Sequence, residues 1–339
     1  MATIRDVARR AGVSAITVSR VINKSGYVAE KTRAQVETAI AELKYVPNRL
    51  AKSLRHKQTD TLALLVSDIT NPFWTTVARG AEDVANEQGL NVILCNTDES
   101  ETKQDNYLNL VLQKQVDGIV LVPVNGQCDA IRWIQEQDVP VVVVDRRVTP
   151  TCADVVRCDS EGGAYELVHH LLDLGHRQIA MLNGPDNVST AIDRAAGYRK
   201  ALVEARLAFD PRLITYGEFT LQSGYEMAQR ALNFTPRPTA LFAANNFIAI
   251  GALRALHHEK LRVPEDIAVV GFDDLPSEIV VEPFLTVSSQ PAYEMGRRAT
   301  ALLLDRIAGN VQEEWQDIVL PTELIIRHST SRAIDEHDH

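Results

Sequence analysis

Several short stretches of this 339-residue chain place carboxylates, amides, a guanidinium and aromatic rings where they could bind a small polar molecule. Asp68, the string Asn71-Pro72-Phe73-Trp74, the pair Asp145-Arg146, Asn245 and Asp273 each follow a run of aliphatic residues. In open α/β sheets, ligand sites form at the carboxyl ends of strands, where such loops begin. Carboxylates accept hydrogen bonds from hydroxyls, guanidinium forks donate in fixed directions, and aromatic rings cover apolar faces. A second group has another character. Ile16, Ser19, Arg20 and Asn23 recur at spacings of three and four, which puts them on one face of a helix. An exposed Arg there can donate a bonded pair to guanine O6 and N7. Catalytic strings are missing: the sequence contains no G-x-G-x-x-G, Walker A, G-x-S-x-G or H-E-x-x-H. The pairs His169-His170 and His257-His258 fall in helical stretches without partner spacing, so neither an enzyme, a metal site nor a cofactor is expected.

Periodicity indicates what holds these groups. From Thr3 the pattern is helical, and Thr3 with Asp6 forms a T-x-x-D capping signal. Val7, Ala8 and Ala11 share a face, and Gly12 then breaks the helix. Ser14 is a good N-cap for Ala15 to Ile22, whose Val18, Val21 and Ile22 point inward. Two short helices around a Gly turn, the second with an Arg-bearing outer face, form a helix-turn-helix. A third helix, Lys31 to Leu43, offers Val36, Ile40 and Leu43 to close the core. After Thr59 the pattern changes to short strands alternating with helices. Strands are expected at Leu62–Val66, Asn91–Cys95, Gly118–Val122, Val141–Val144, Ile179–Leu182, Ala240–Ala243 and Ile267–Gly271, with LTVSS and IVLPTELIIR as connecting strands. Nearly continuous apolar strands separated by helices imply parallel sheets covered on both faces, and this length implies two of them.

Charge separates the same two regions. The total is −10, which taken alone argues against a polyanionic partner. Residues 1–58 nevertheless hold five Lys and seven Arg against four acids, a balance of +8 that leaves −18 on the rest. Such asymmetry implies a basic nucleic-acid-binding segment joined to a body that DNA repels. Cys95, Cys128, Cys152 and Cys158 are scattered and read as small apolar residues. The N-terminus lacks the apolar core of a signal peptide and no run approaches a membrane span, so a soluble, cytoplasmic protein is expected.

The strings TIRDVARRAGVSAITVSRVIN and KTRAQVETAIAELKYVPNRLAKSLR closely resemble the DNA-binding headpiece of the lactose/galactose repressor (LacI/GalR) family. The resemblance implies operator DNA as a partner, with Ala15, Ile16 and Arg20 facing base edges. It further implies that Ser14, Thr17, Ser19, Asn23, Tyr27 and Thr32 mostly hold the phosphate backbone. Ala15 and Ile16 have no side-chain donors, so direct readout is expected to lean on Arg20. Residues 47–58 resemble the family's hinge, with Asn48, Ala51 and Leu54 at its DNA-contacting positions and Leu54 as a minor-groove wedge beside Ala51.

The body resembles the same family and, beyond it, the periplasmic sugar-binding proteins, through NPFW at 71–74, VDR at 144–146, DRAAGY at 193–198, GFDD at 271–274 and SSQP at 288–291. The implied architecture is a small all-α headpiece (1–46), a hinge (47–58), and an α/β body (59–330) of two Rossmann-like subdomains, followed by a disordered tail (331–339). Crossings between subdomains should fall near Asp159, Gln290 and Leu320. Carrying over the ribose-type pattern gives Asn71, Phe73, Trp74, Asp145, Arg146, Arg194, Phe219, Asn245, Asp273 and Gln290 as effector-binding residues. Trp74 stands where Phe is usual. Two carboxylates and two guanidiniums sum to zero, which suits a neutral sugar, ribose or another pentose, with a hexose or a co-repressing sugar as the alternative. The family usually reads Asn-Asp where this chain has Asn245-Asn246, and Asn can still cap the following helix. A homodimer on a pseudo-palindromic operator, responding allosterically to the sugar, is the function implied. A transport-associated sugar-binding protein would share the body but lack residues 1–58.

Overall fold

Capping chemistry marks out the first three helices. Thr3 Oγ1 accepts from the Asp6 N–H at 3.3 Å while the Asp6 carboxylate accepts from the Thr3 N–H at 2.9 Å, and this reciprocal box opens α1 (Ile4–Ala11). Gly12 ends α1 with φ 68°, a left-handed conformation open to glycine without steric cost. Ser14 then caps α2 (Ala15–Ile22) by accepting from the Thr17 N–H at 3.1 Å. The third helix, α3 (Glu30–Glu42), starts at Ala29 with no side-chain cap. Val7, Ala8, Val18, Val21, Val36 and Ala39 form the buried core of this bundle, with Ile22, Ile40 and Leu43 only partly covered at its edge.

The computed structural model describes residues 2–23, 25–46, 59–275, 282–310 and 314–331. The chain divides into two compact units, Met1–Thr59 and Asp60–His339. The hinge positions Asn48, Ala51 and Leu54 and most of the tail lie outside the described residues.

The larger unit contains two six-stranded sheets. The first takes β1 (Thr61–Val66), β2 (Asn91–Asn96), β3 (Gly118–Leu121), β4 (Val141–Val144), β5 (Asp154–Cys158) and β11 (Asp317–Leu320), in the order β11-β5-β4-β3-β1-β2. The second takes β6 (Ile179–Asn183), β7 (Ile214–Tyr216), β8 (Ala240–Ala243), β9 (Ala268–Phe272), β10 (Thr286–Ser289) and β12 (Glu323–Ile325), in the order β12-β10-β9-β8-β6-β7. Every pairing is parallel except that of β12 with β10. The two orders match strand for strand, so β4 in one sheet holds the place of β9 in the other.

Helices α4 (Pro72–Glu87), α5 (Glu101–Gln113), α6 (Asp129–Gln135) and α11 (Ala292–Ala308) belong with the first sheet. Helices α7 (Ser160–Asp173), α8 (Ser189–Glu204), α9 (Leu221–Leu232) and α10 (Asn246–His258) belong with the second. The chain therefore passes between sheets after β5, returns between β10 and α11, and passes again between β11 and β12. Helices α4 and α11 approach backbone to backbone. A Cβ on Gly80 would lie 2.0 Å from the Tyr293 carbonyl oxygen, and one on Gly296 2.0 Å from that of Val77.

Sequence periodicity missed β5 and β7. The latter is three residues at a sheet edge, too short to show alternation. The string IVLPTELIIR is cut at Pro321 into β11 and β12, which serve different sheets. Cys128 and Cys152 are joined as a disulfide rather than standing as separate apolar residues, because the fold brings two loops together across 24 residues of sequence. Cys95 and Cys158 are buried and free. Among the described residues no helix is long and apolar enough to cross a membrane, and no cluster of acidic, His or Cys side chains is placed to hold a metal.

Candidate functional site

The carboxyl ends of both sheets border one cavity of about 490 Å³. Asn71, Phe73, Trp74, Asp145, Arg146, Arg194, Phe219, Asn245, Asp273 and Gln290 all line it, and Asp68 joins them. Its volume is within the range of small-molecule sites.

The two central carboxylates occupy equivalent places. Asp145 is the first residue after β4 and Asp273 the first after β9, and the N–H of each donates to the neighbouring strand, to Val156 O at 2.9 Å and Ser288 O at 3.0 Å. Both have left-handed backbones, with φ 70° and 68°. Asp tolerates that conformation better than most residues with a Cβ. Burial pushes the Asp145 carboxyl up to about 6, although Arg194 and Arg146 oppose the shift. Burial also raises Asp273, again against Arg194 and against the hydrogen bond it accepts from Gln290.

The two guanidiniums are anchored yet not saturated. Arg146 donates to both Glu99 oxygens, at 2.7 and 2.5 Å, and to Pro123 O at 2.9 Å. Arg194 lies over the Phe272 ring at 3.9 Å and donates to Ala244 O at 2.7 Å. Within the described residues, Arg146 Nε, Arg194 Nε and Gln290 Oε1 are buried without a hydrogen-bond partner. A buried polar atom left unpaired costs about 1–3 kcal/mol. The apolar part of the wall is aromatic. Phe73 and Trp74 meet edge to face with centroids 4.7 Å apart. Phe219 sits against Gly184, where any Cβ would collide with its ring.

The asparagines have other duties. Asn71 caps α4 by accepting from the Phe73 N–H at 3.0 Å, and Asn245 caps α10 by accepting from the Ile248 N–H at 2.8 Å. Asn246, in the place of the family's usual Asp, is therefore not the cap of α10. Its amide instead exchanges two hydrogen bonds with Asn71, at 3.0 and 2.9 Å.

In the smaller unit, α2 presents a face that does not belong to its core. Arg20 is exposed and Ile16 is 68% exposed, while Ser14, Ser19 and Asn23 are spent locally in Ser14–Thr17 and Ser19–Asn23 hydrogen bonds. Tyr27, just beyond α2, is 91% exposed. An exposed isoleucine beside an exposed arginine is the composition expected of a surface that reads thymine methyls and guanine edges.

Comparison with known proteins places both units. Residues 59–328 match the family described as periplasmic binding proteins and sugar binding domain of LacI family, and residues 3–48 match bacterial regulatory proteins, lacI family. The chain belongs to the LacI family. This LacI-family chain is 36% identical to the ribose operon repressor of Halalkalibacterium halodurans over 330 residues, covering 97% of each. It is 35% identical to the PurR repressor of Photobacterium profundum over 330 residues, covering 97% of this chain and 98% of that one. Among solved structures it resembles the lac repressor dimer bound to operator and the anti-inducer ONPF (TM-score 0.85, 30% identity, 97% and 99% covered). It also resembles a LacI-family regulator from Enterococcus faecium with bound ribose (TM-score 0.73, 33% identity, 81% and 100% covered). As a LacI-family protein it is a DNA-binding transcriptional repressor with a ligand-binding domain, and not an enzyme.

For this LacI-family site, one expectation needs correction. The charge balance of two against two omits Asp68, Asp98, Glu99 and Glu218, which also line the cavity. Six carboxylates therefore face two guanidiniums. Of the added groups, Asp98 and Glu99 follow β2 just as Asp68 follows β1, so the strand-end rule could have found them. Glu218 and Thr220 flank Phe219 and could have been read from that neighbour.

Proposed function

We propose that this chain is a sugar-responsive repressor that binds a pseudo-palindromic operator as a homodimer, and that its effector is a neutral sugar of pentose size, ribose foremost. The supporting observation is the inventory of the cavity. Two guanidiniums and a glutamine line a site whose other walls are largely carboxylates, small amides and hydroxyls, and aromatic rings. Hydroxyls can both accept from the arginines and donate to the acids, whereas a phosphosugar or dicarboxylate would meet a surplus of negative charge. The similarity to the ribose operon repressor and to the ribose-bound Enterococcus regulator points the same way. Binding of the sugar alters how the two sheets meet and changes operator affinity by linkage.

The test is calorimetric titration with ribose, arabinose, xylose, glucose, ribose 5-phosphate and hypoxanthine, followed by operator titration with and without the hit. A neutral pentose is expected to bind most tightly. Binding by hypoxanthine or the phosphosugar alone would reject the reading. A pH dependence accompanies it. Hydroxyls that donate to Asp145 favour its ionised form, so the sugar binds with proton release near pH 6. On account of Asp145, affinity is expected to fall as pH drops through 6, approaching tenfold per unit. Calorimetry at pH 6 in two buffers of different ionisation enthalpy measures the released proton, and proton uptake would refute this role for Asp145.

A further inference from the structure

Away from the three strand crossings, and among the described residues, hydrogen bonds join the two sheets of Asp60–His339 at two further points. At the first, Asn71 Oδ1 accepts from the Phe73 N–H at 3.0 Å and from Asn246 Nδ2 at 2.9 Å, while Asn71 Nδ2 donates to Asn246 Oδ1 at 3.0 Å. Both amides are buried, Asn246 almost completely at 1% exposure. At the second, the Arg147 N–H donates to Ser189 Oγ at 2.9 Å and its guanidinium pairs with Asp193. Each contact links the loop after a first-sheet strand, β1 or β4, to the start of a second-sheet helix, α10 or α8. Asn71 borders the cavity and Asn246 does not.

We propose that the Asn71–Asn246 pair, helped by Arg147–Asp193, is a clasp that holds the two carboxyl ends together before any ligand arrives, and that Asn246 thereby sets effector affinity as a positioning residue. With its oxygen used twice, Asn71 can offer the cavity only its second N–H. Its main service to binding is thus to fix the gap between the aromatic pair Phe73–Trp74 on α4 and the groups around Asn245 on α10. A ligand that needs the closed arrangement binds with an apparent affinity reduced by the fraction of protein already closed. A neutral, reciprocal amide pair suits this use, because each amide is well solvated when the cleft opens and the clasp is freely reversible. The outer ion pair is partly exposed, with Arg147 at 43%, so its share of the closing force is screened by salt.

This inference rests on the cavity being the effector site, and the experiment separates the two. Full-length protein carrying Trp133→Phe and Trp315→Phe reports Trp74 alone. In that background Asn246→Ala removes both amide bonds while leaving the Asn245 cap and the cavity wall in place. Without ligand, acrylamide quenching of Trp74, buried at 6% exposure, is expected to rise at least about twofold. The Kd for D-ribose is expected to rise about threefold to tenfold. Arg147→Ala, at an exposed side chain outside the core, should move both readouts the same way by less, and salt at about 1 M should reproduce its effect on the unsubstituted protein. Asn246→Asp, which keeps an acceptor for Asn71 Nδ2, should fall between. A lower melting temperature with unchanged Trp74 quenching in Asn246→Ala would overturn the clasp. Should Asn246→Ala not fold, unchanged quenching in Arg147→Ala and at high salt would overturn it. If D-ribose does not bind the parent protein, the sugar reading fails while quenching still decides the clasp.

Discussion

An Arg20→Ala protein is expected to lose most of its preference for its operator while folding normally. Arg20 is the exposed cation on the outer face of α2, beside exposed Ile16, and it takes no part in the helical core. One bidentate contact to guanine discriminates by about 1–3 kcal/mol, and a dimer makes it twice. Preference for an operator selected from random DNA should therefore drop by roughly thirtyfold to about twenty-thousandfold in a binding titration. Affinity for unrelated DNA should drop only by the loss of one positive charge per protomer. The melting temperature should stay within a degree or two, since exposed side chains away from caps and cores contribute little. Retention of full operator preference would show that sequence is read elsewhere.

The second large effect is expected at Asp273. Asp273→Ala removes the acceptor proposed for the sugar and strands two neighbours, since Gln290 loses its hydrogen-bond acceptor and Arg194 an opposing charge. Hydrogen bonds to charged groups contribute about 1.5–3 kcal/mol, so affinity should fall by at least tenfold and thermal stabilisation by the sugar should vanish at ordinary concentrations. Asp273→Asn separates charge from shape, because asparagine fits the left-handed backbone that the site requires. The sign of its effect on the empty protein follows from linkage. Burial raises the Asp273 pKa above its unfolded value, so the folded state holds the proton more tightly and stability declines as pH rises from the unfolded pKa through the folded one. Above the folded pKa that cost is fully present, and there Asp273→Asn should melt higher than the parent without ligand while binding sugar more weakly. A variant that melts lower and still binds would refute both arguments.

How much of this was legible in the sequence depended on the length of the signal. Val141–Val144 and Ala240–Ala243 declare themselves as buried strands because nothing polar interrupts them. Strand β7 does not, since three residues cannot show a period. Asp145 and Asp273 follow from their place after such runs, and Gln290 directly follows LTVSS, whereas Arg194 sits on a helix and could be reached only through family resemblance. Glu99 was legible by the strand-end rule but hidden because its role is to hold Arg146, a partner 47 residues away. The work of Asn246 was hidden for another reason. Two adjacent asparagines before a helix are both acceptable caps, and only three-dimensional structure shows that the first takes the cap and the second turns to Asn71.

The three passages of the chain between sheets bear on how such a protein can change over evolutionary time. Because β11 and α11 return to the first sheet after the second is nearly complete, no single recombination breakpoint separates one sheet from the other. A gene fragment ending after β5 would encode a first sheet lacking an edge strand and the helix packed on α4 through Gly80 and Gly296. The body is thus inherited whole, and new effector preferences must arise by substitution along the cleft rather than by exchange of its halves. The boundary between Met1–Thr59 and Asp60–His339 is of the opposite kind, a single cut that leaves two units each with its own core. Operator choice can be shuffled among bodies as a cassette, while sugar choice has to be reworked one residue at a time.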